Sequence, residues 1–152
     1  MKRRILVLLL ALVVCFASSC DLLGGVSNQG SVTVVIENGD GSFDVTQANL
    51  GAVENKEEGA KGVLDYLSQG KDKLHVKMED GAFGAYITEI GNLKNSANGY
   101  IMVYTSVSSD SYEGAPTVNY EGMKLYQSGV GVSQMKVEDG GVILFRLEIY
   151  EF

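Results

Sequence analysis

The chain has 152 residues and a mass of 16.3 kDa, with 12 basic against 19 acidic side chains and a formal net charge of −7. Its 45 % hydrophobic and 20 % charged content excludes wholesale disorder, and 19 glycines with a single proline and no triplet period exclude a collagen-like chain. Two cysteines are too few for a disulfide framework or a structural zinc site, and the acidic balance argues against nucleic acid, whose phosphates need a basic surface.

Lys2, Arg3 and Arg4 are the only charged side chains in the first twenty residues. An apolar run from Ile5 to Phe16 follows, then Ala17, Ser18, Ser19 and Cys20. A basic start, a short apolar stretch and small residues describe an export signal, and the run is shorter than the roughly 20 residues a membrane span needs. Ala17-Ser18-Ser19-Cys20 resembles a bacterial lipobox, with Ala17 where the pattern prefers Leu. Residues 1–19 are therefore read as a lipoprotein signal peptide and Cys20 as the acylated residue. Such a cysteine, carrying a palmitate-like chain among others, anchors a domain without a span. Removing the signal leaves 133 residues, with nine basic and nineteen acidic side chains, hence a charge of −10. Cys15 leaves with the signal, so the mature domain has no internal disulfide and depends on its core.

Residues 20–31 are Gly/Ser/Asn-rich and read as a flexible tether; residues 32–152 read as one domain. Val32–Glu37 is β-branched and apolar, a strand; Asn38-Gly39-Asp40-Gly41 turns it into a returning strand from Phe43. Within Glu57–Gln69, Val63, Leu64 and Leu67 form one apolar helical face, which Gly70 ends. Leu74–Met78 alternates, with Leu74, Val76 and Met78 inward and His75 and Lys77 outward. Further strands are expected at Ala85–Ile90, Tyr100–Val107, Met123–Tyr126 and Val130–Val132, with a polar loop over Ser108–Thr117. In the last strand, Val142–Tyr150, Ile143, Phe145, Leu147 and Ile149 give a fully apolar face for the core, while Val142, Leu144, Arg146, Glu148 and Tyr150 face the other way. A hairpin, one helix and then several strands predict an α+β fold, a β-grasp-like mixed sheet with one helix packed across one face.

No segment carries a catalytic signature. His75 is the only histidine, on the outward phase of a strand with no cysteine to partner it, so a surface role is expected. Asn38 to Asp44 has the oxygens of a calcium loop but lacks the distal Glu and flanking helices, and a hairpin turn accounts for it. No serine lies in Gly-x-Ser-x-Gly and no glycine-rich phosphate loop is present. The tyrosines are more suggestive. There are eight, with no tryptophan, and six lie between Tyr86 and Tyr126. Tyrosine gives rigid amphipathic area for a flat ligand or a partner, although half-buried strands favour it in any case.

Four segments carry a family resemblance: Gly62–Leu67, Tyr86–Leu93, Asn98–Tyr104 and Gly131–Gly140. In this order and spacing, the chain from about Ser31 onward resembles a domain of bacterial surface lipoproteins. That domain is in turn similar to the C-terminal β-domain of intrinsic factor and transcobalamin, the vitamin B12 carriers. The resemblance implies a transcobalamin-like β-grasp fold and binding of a corrinoid or other flat ligand. Many members carry Trp where this chain has Tyr100, and the carriers complete their site with an α-domain for which 133 residues leave no room.

The expectation is a non-enzymatic binding domain without a resident cofactor or metal, lipid-anchored through Cys20 at a bacterial cell membrane or outer membrane on its extracytoplasmic side. Tyr100, Tyr104 and Tyr126, with Tyr112 and Tyr120 from the loop between them, are the expected ligand contacts. The alternative is a cell-surface interaction or adhesion module, in which the same tyrosines face a protein of the cell envelope.

Overall fold

The computed structural model describes residues 25–151; the segment read as a signal peptide and the expected acylation site Cys20 lie outside the described residues. Among the described residues, nine strands form two sheets: β1 (Ser31–Glu37), β2 (Phe43–Asn49), β3 (Val76–Gly81), β4 (Gly84–Ile90), β5 (Leu93–Lys94), β6 (Gly99–Thr105), β7 (Thr117–Tyr120), β8 (Met123–Gln127) and β9 (Val142–Ile149). The helix α1 (Gly59–Gln69) follows the first hairpin. The main sheet has the order β2-β1-β9-β6-β8-β7, and β3-β4-β5 make a second sheet. The fold is α+β, and its centre is β-grasp-like: the first and last strands, β1 and β9, run parallel side by side, with Thr33 opposite Val142 and Glu37 opposite Arg146.

Strand composition explains the order. β1 is apolar on both phases over Val34–Ile36 and β9 over Val142–Phe145, so these stretches suit the interior of a sheet covered on both faces. β2, Phe-Asp-Val-Thr-Gln-Ala-Asn, is mostly exposed and forms the edge. On one face of the main sheet, Val32, Val34, Ile36, Ile143 and Phe145 meet Ala60, Val63 and Leu64 of α1. The same core takes Ala85, Ile87, Ile90 and Leu93 from the second sheet. The single sheet expected from sequence is thus two, because β3-β4-β5 fold over the area that one short helix leaves uncovered.

The other face of the main sheet is also covered. Val35, Tyr104, Tyr120, Leu125, Val142 and Leu144 form a second core there. The β7–β8 hairpin makes this core. It pairs with β6 only at Tyr104–Gln127 and Thr105–Tyr126, and then arches across the face. The Tyr120 ring thereby meets the Phe43 ring of β2 edge-on at 5.5 Å, at the opposite side of the sheet.

Three local expectations change. Gly25–Gly30 lead directly into β1 rather than hanging free: Val26 is buried, its N–H bonds the Lys56 carbonyl, and it bridges Val137. Val130–Val132 is not a strand. The successive N–H groups of Gly131 and Val132 both donate to the start of β4, at Phe83 and Ala85, whereas a strand points successive donors to opposite sides. The loop after β6 is shorter than expected, since Thr117–Tyr120 is strand β7.

Candidate functional site

The register of the main sheet decides which tyrosines share a face. Tyr100 pairs with Glu148, Met102 with Arg146 and Tyr104 with Leu144, so all six point to the outer face, away from α1. Gln127 pairs with Tyr104 and joins them. Tyr126 is one residue out of phase. It pairs with Thr105, which is buried on the inner side, and its ring lies 5.3 Å from the Lys124 ammonium on the far side of the hairpin. The structure therefore does not bring Tyr126 to Tyr100 and Tyr104.

Burial separates the remaining four. Tyr104 and Tyr120 are core residues, 2 % and 9 % exposed, and offer a ligand little surface. Tyr100 and Tyr112 are 43 % and 50 % exposed. They are joined by Tyr150, whose ring centroid is 6.1 Å from that of Tyr100. Tyr150 closes the outward phase of β9 that also carries Arg146 and Glu148. The sequence alternation already shows that phase, but only the Tyr100–Glu148 pairing shows that it meets the tyrosines.

These side chains form two bonded groups on the one face, one around Glu148 and one around Gln127. Glu148 accepts from the Tyr104 hydroxyl at 2.5 Å and from the Tyr150 hydroxyl at 3.3 Å. The Arg146 guanidinium stands 3.7 Å from Glu148 on one side and 3.7 Å from Glu37 on the other. The Tyr112 hydroxyl donates to Gln127 Oε1 at 3.1 Å, and Gln127 Nε2 reaches Met102 Sδ at 3.2 Å. Burial, then the Glu148 carboxylate, pushes the Tyr104 phenol well above its usual range. Tyr150 is raised by the same two causes, with Tyr112 adding to it. Both phenols stay protonated near neutral pH and act as donors. The arrangement presents aromatic faces, hydroxyl donors, one guanidinium and a carboxylate. Beside it, Arg146 and Glu37 also line a groove of about 620 Å³ between the β1–β2 turn and β5, with Leu147 and Ile149 as its apolar wall.

The other motifs are accounted for locally. Asp40 Oδ1 accepts from Ser42 N–H at 2.9 Å and Ser42 Oγ–H at 2.6 Å, and Asn38 Nδ2 donates to Ser42 Oγ and Asp44 Oδ2. Asp40, Ser42 and Asp44 are thus bonded within the turn itself, which accounts for the segment as a hairpin turn, while Asn38 Oδ1 is buried without a hydrogen-bond partner. His75 immediately precedes β3, with its Nε2 2.9 Å from Glu89 Oε2. No group of three or more His, Cys, Asp or Glu side chains that could hold a metal occurs among the described residues.

No family model and no curated protein matches this sequence. Solved structures do match. One is a protein of Ruminococcus gnavus ATCC 29149, provisionally described as metal binding, with a TM-score of 0.53 and 16 % identity, covering 81 % of this chain and all of that one. Another is haptocorrin in complex with Cbi, with a TM-score of 0.53 and 15 % identity, covering 88 % of this chain and 27 % of that one. At these identities the likeness is one of fold. This chain spans about a quarter of the length of haptocorrin.

Proposed function

We propose that this chain is an extracytoplasmic lipoprotein, held at a bacterial membrane by acyl chains on Cys20, whose domain binds a ligand without acting on it chemically. The ligand lies on the outer sheet face, against Tyr100, Tyr112 and Tyr150. The observation that carries this reading is the cluster itself: exposed aromatic rings around a paired Arg146–Glu148 centre, with no activated nucleophile among them. Flat aromatic and polar area of this kind suits a planar ligand with polar edges. A corrinoid is the favoured candidate, on the motif resemblance to the vitamin B12 carriers and the fold likeness to haptocorrin in complex with Cbi. Titration with cobalamin and related corrinoids tests it, with binding that weakens in Tyr100→Ala and Tyr150→Ala as the expected result. No binding at about 1 mM ligand removes the corrinoid. Binding indifferent to both substitutions removes the face.

The second reading is a protein-interaction or adhesion module. Tyr100 and Tyr112 stand about half exposed, as rings do on a surface that meets a partner. A cell-envelope protein held by this face, with corrinoids having no effect, would select it.

The anchor is tested separately. Five residues separate Cys20 from Val26, a span of at most about 20 Å, so an acylated Cys20 holds the domain close to the bilayer. Cys20→Ala is expected to shift the protein from the membrane to the soluble fraction. A variant that stays fully membrane-bound would remove the lipid anchor.

A further inference from the structure

A second cleft, of about 260 Å³, lies between α1 and the loop that leads into it, away from the tyrosine face. We propose that it binds a single pyranose sugar ring. Its helical wall is one stripe of α1, Gly62, Asp65, Tyr66 and Gln69, spaced i, i+3, i+4 and i+7; Glu54 and Asn55 of the preceding loop form the other wall. Gly62 makes the closed end. A Cβ there would meet the Asn55 carbonyl oxygen at 2.2 Å, so only glycine lets the loop seat this tightly on the helix.

The polar groups converge with their hydrogen-bonding capacity unspent. Among the described residues, the side chains of Glu54, Asn55, Tyr66 and Gln69 have no hydrogen-bond partner, and Asp65 uses one carboxylate oxygen, on Lys61 at 3.1 Å. Tyr66 is 36 % exposed, with its ring available to the cleft.

This set selects a polyol over a cation. Glu54 and Asp65 are the two carboxylates lining the cleft, Asp65 shares the Lys61 ammonium with Glu58, and ion pairs at so open a site contribute little to holding a cation. Vicinal hydroxyls, each both donor and acceptor, need partners of both kinds. Two side-chain amides and two carboxylates supply them. The C–H face of a sugar ring supplies the apolar surface that suits a tyrosine ring. The volume lies just under the roughly 300–1,000 Å³ of sites for drug-sized ligands, which limits the occupant to one ring.

The test is amide chemical-shift mapping of the full chain during titration with glucose, galactose, mannose and N-acetylglucosamine, with spermidine as the cationic probe. The expected result is saturable shifts for one sugar at residues 52–55 and 62–70. Tyr66→Ala and Gln69→Ala each weaken that binding by about fivefold or more, with the rest of the spectrum unchanged. Shifts with spermidine and none with sugars, sugar shifts confined to the Tyr100–Tyr150 face, or no saturable shift below about 50 mM of any sugar would each overturn the proposal. Tyr66 and Gln69 are surface residues, so loss of binding in these variants is readable against an intact fold.

Discussion

Glu89 gathers three nitrogen donors on the second sheet: His75 Nε2 at 2.9 Å, Lys94 Nζ at 3.0 Å and Lys77 Nζ at 3.1 Å. Their hydrogen bonds, His75's foremost, hold its carboxyl down at about 2, against an ordinary 4.5. A carboxyl depressed on folding stabilises the protein above its unfolded-state value, and that contribution disappears as pH falls through the folded-state value. Glu89→Gln is therefore expected to lower the urea midpoint at neutral pH, and its deficit against wild type should shrink between pH 4.5 and pH 2. A deficit constant across that range would mean that Glu89 acts by packing rather than by charge. The tyrosines show where sequence reading stops at this scale. Their crowding is visible in the sequence, but a face is set by register. A single step along β8 puts Gln127 on the site and Tyr126 off it.

The start of α1 shows how an element is held by something other than its own sequence. Glu58 makes no side-chain capping bond. The N–H groups of Ala60 and Lys61 donate instead to the carbonyls of Met135 and Val132, so the segment before β9 serves as the cap. Gly59 makes this approach possible. It has φ +57° and ψ −135°, and a Cβ there would lie 2.2 Å from the Met135 oxygen. Gly59→Ala combines backbone strain with a backbone clash and is expected to cost about 2–4 kcal/mol, read as a lowered denaturant midpoint. A loss under about 1 kcal/mol would mean that the cap gives way easily. The helix itself was legible, because Val63, Leu64 and Leu67 mark its buried side whatever caps it. β1, β2, β4, β6 and β9 were legible for the same reason: composition and alternation carry them. β5 was not, since two residues hold no period. β7 was not, because Thr-Val-Asn-Tyr follows the only proline and exists through its pairing with β8. The cleft on α1 was hidden as well: its helical wall is an ordinary polar stripe until the loop at Glu54 and Asn55 is seated against Gly62.

At the scale of the molecule, two cores meet at one strand. β9 lies between β1 and β6, sends Ile143 and Phe145 into the core under α1, and sends Val142 and Leu144 into the core under the β7–β8 hairpin. The sequence shows the first set as the core face. The second set reads as outward because nothing local announces that a hairpin will fold back over it. Burying these four side chains is worth about 6–12 kcal/mol at roughly 1.5–3 kcal/mol each. That is comparable with the entire stability of an ordinary domain, about 5–15 kcal/mol. A chain ending before Val142 would also leave β1 and β6 without a common partner, breaking the main sheet in two. It is expected to show no cooperative urea transition by circular dichroism. Phe145→Ala, which empties one fully buried site of the inner core, should retain a single transition with about 3–5 kcal/mol less stability. Leu144→Ala tests the outer core in the same way, at about 2–5 kcal/mol. If Leu144→Ala loosened the Tyr104–Glu148 contact without lowering global stability, the β7–β8 hairpin would be a separate lid. A shared transition in both variants would make the tyrosine face and the helix layer parts of one cooperative unit.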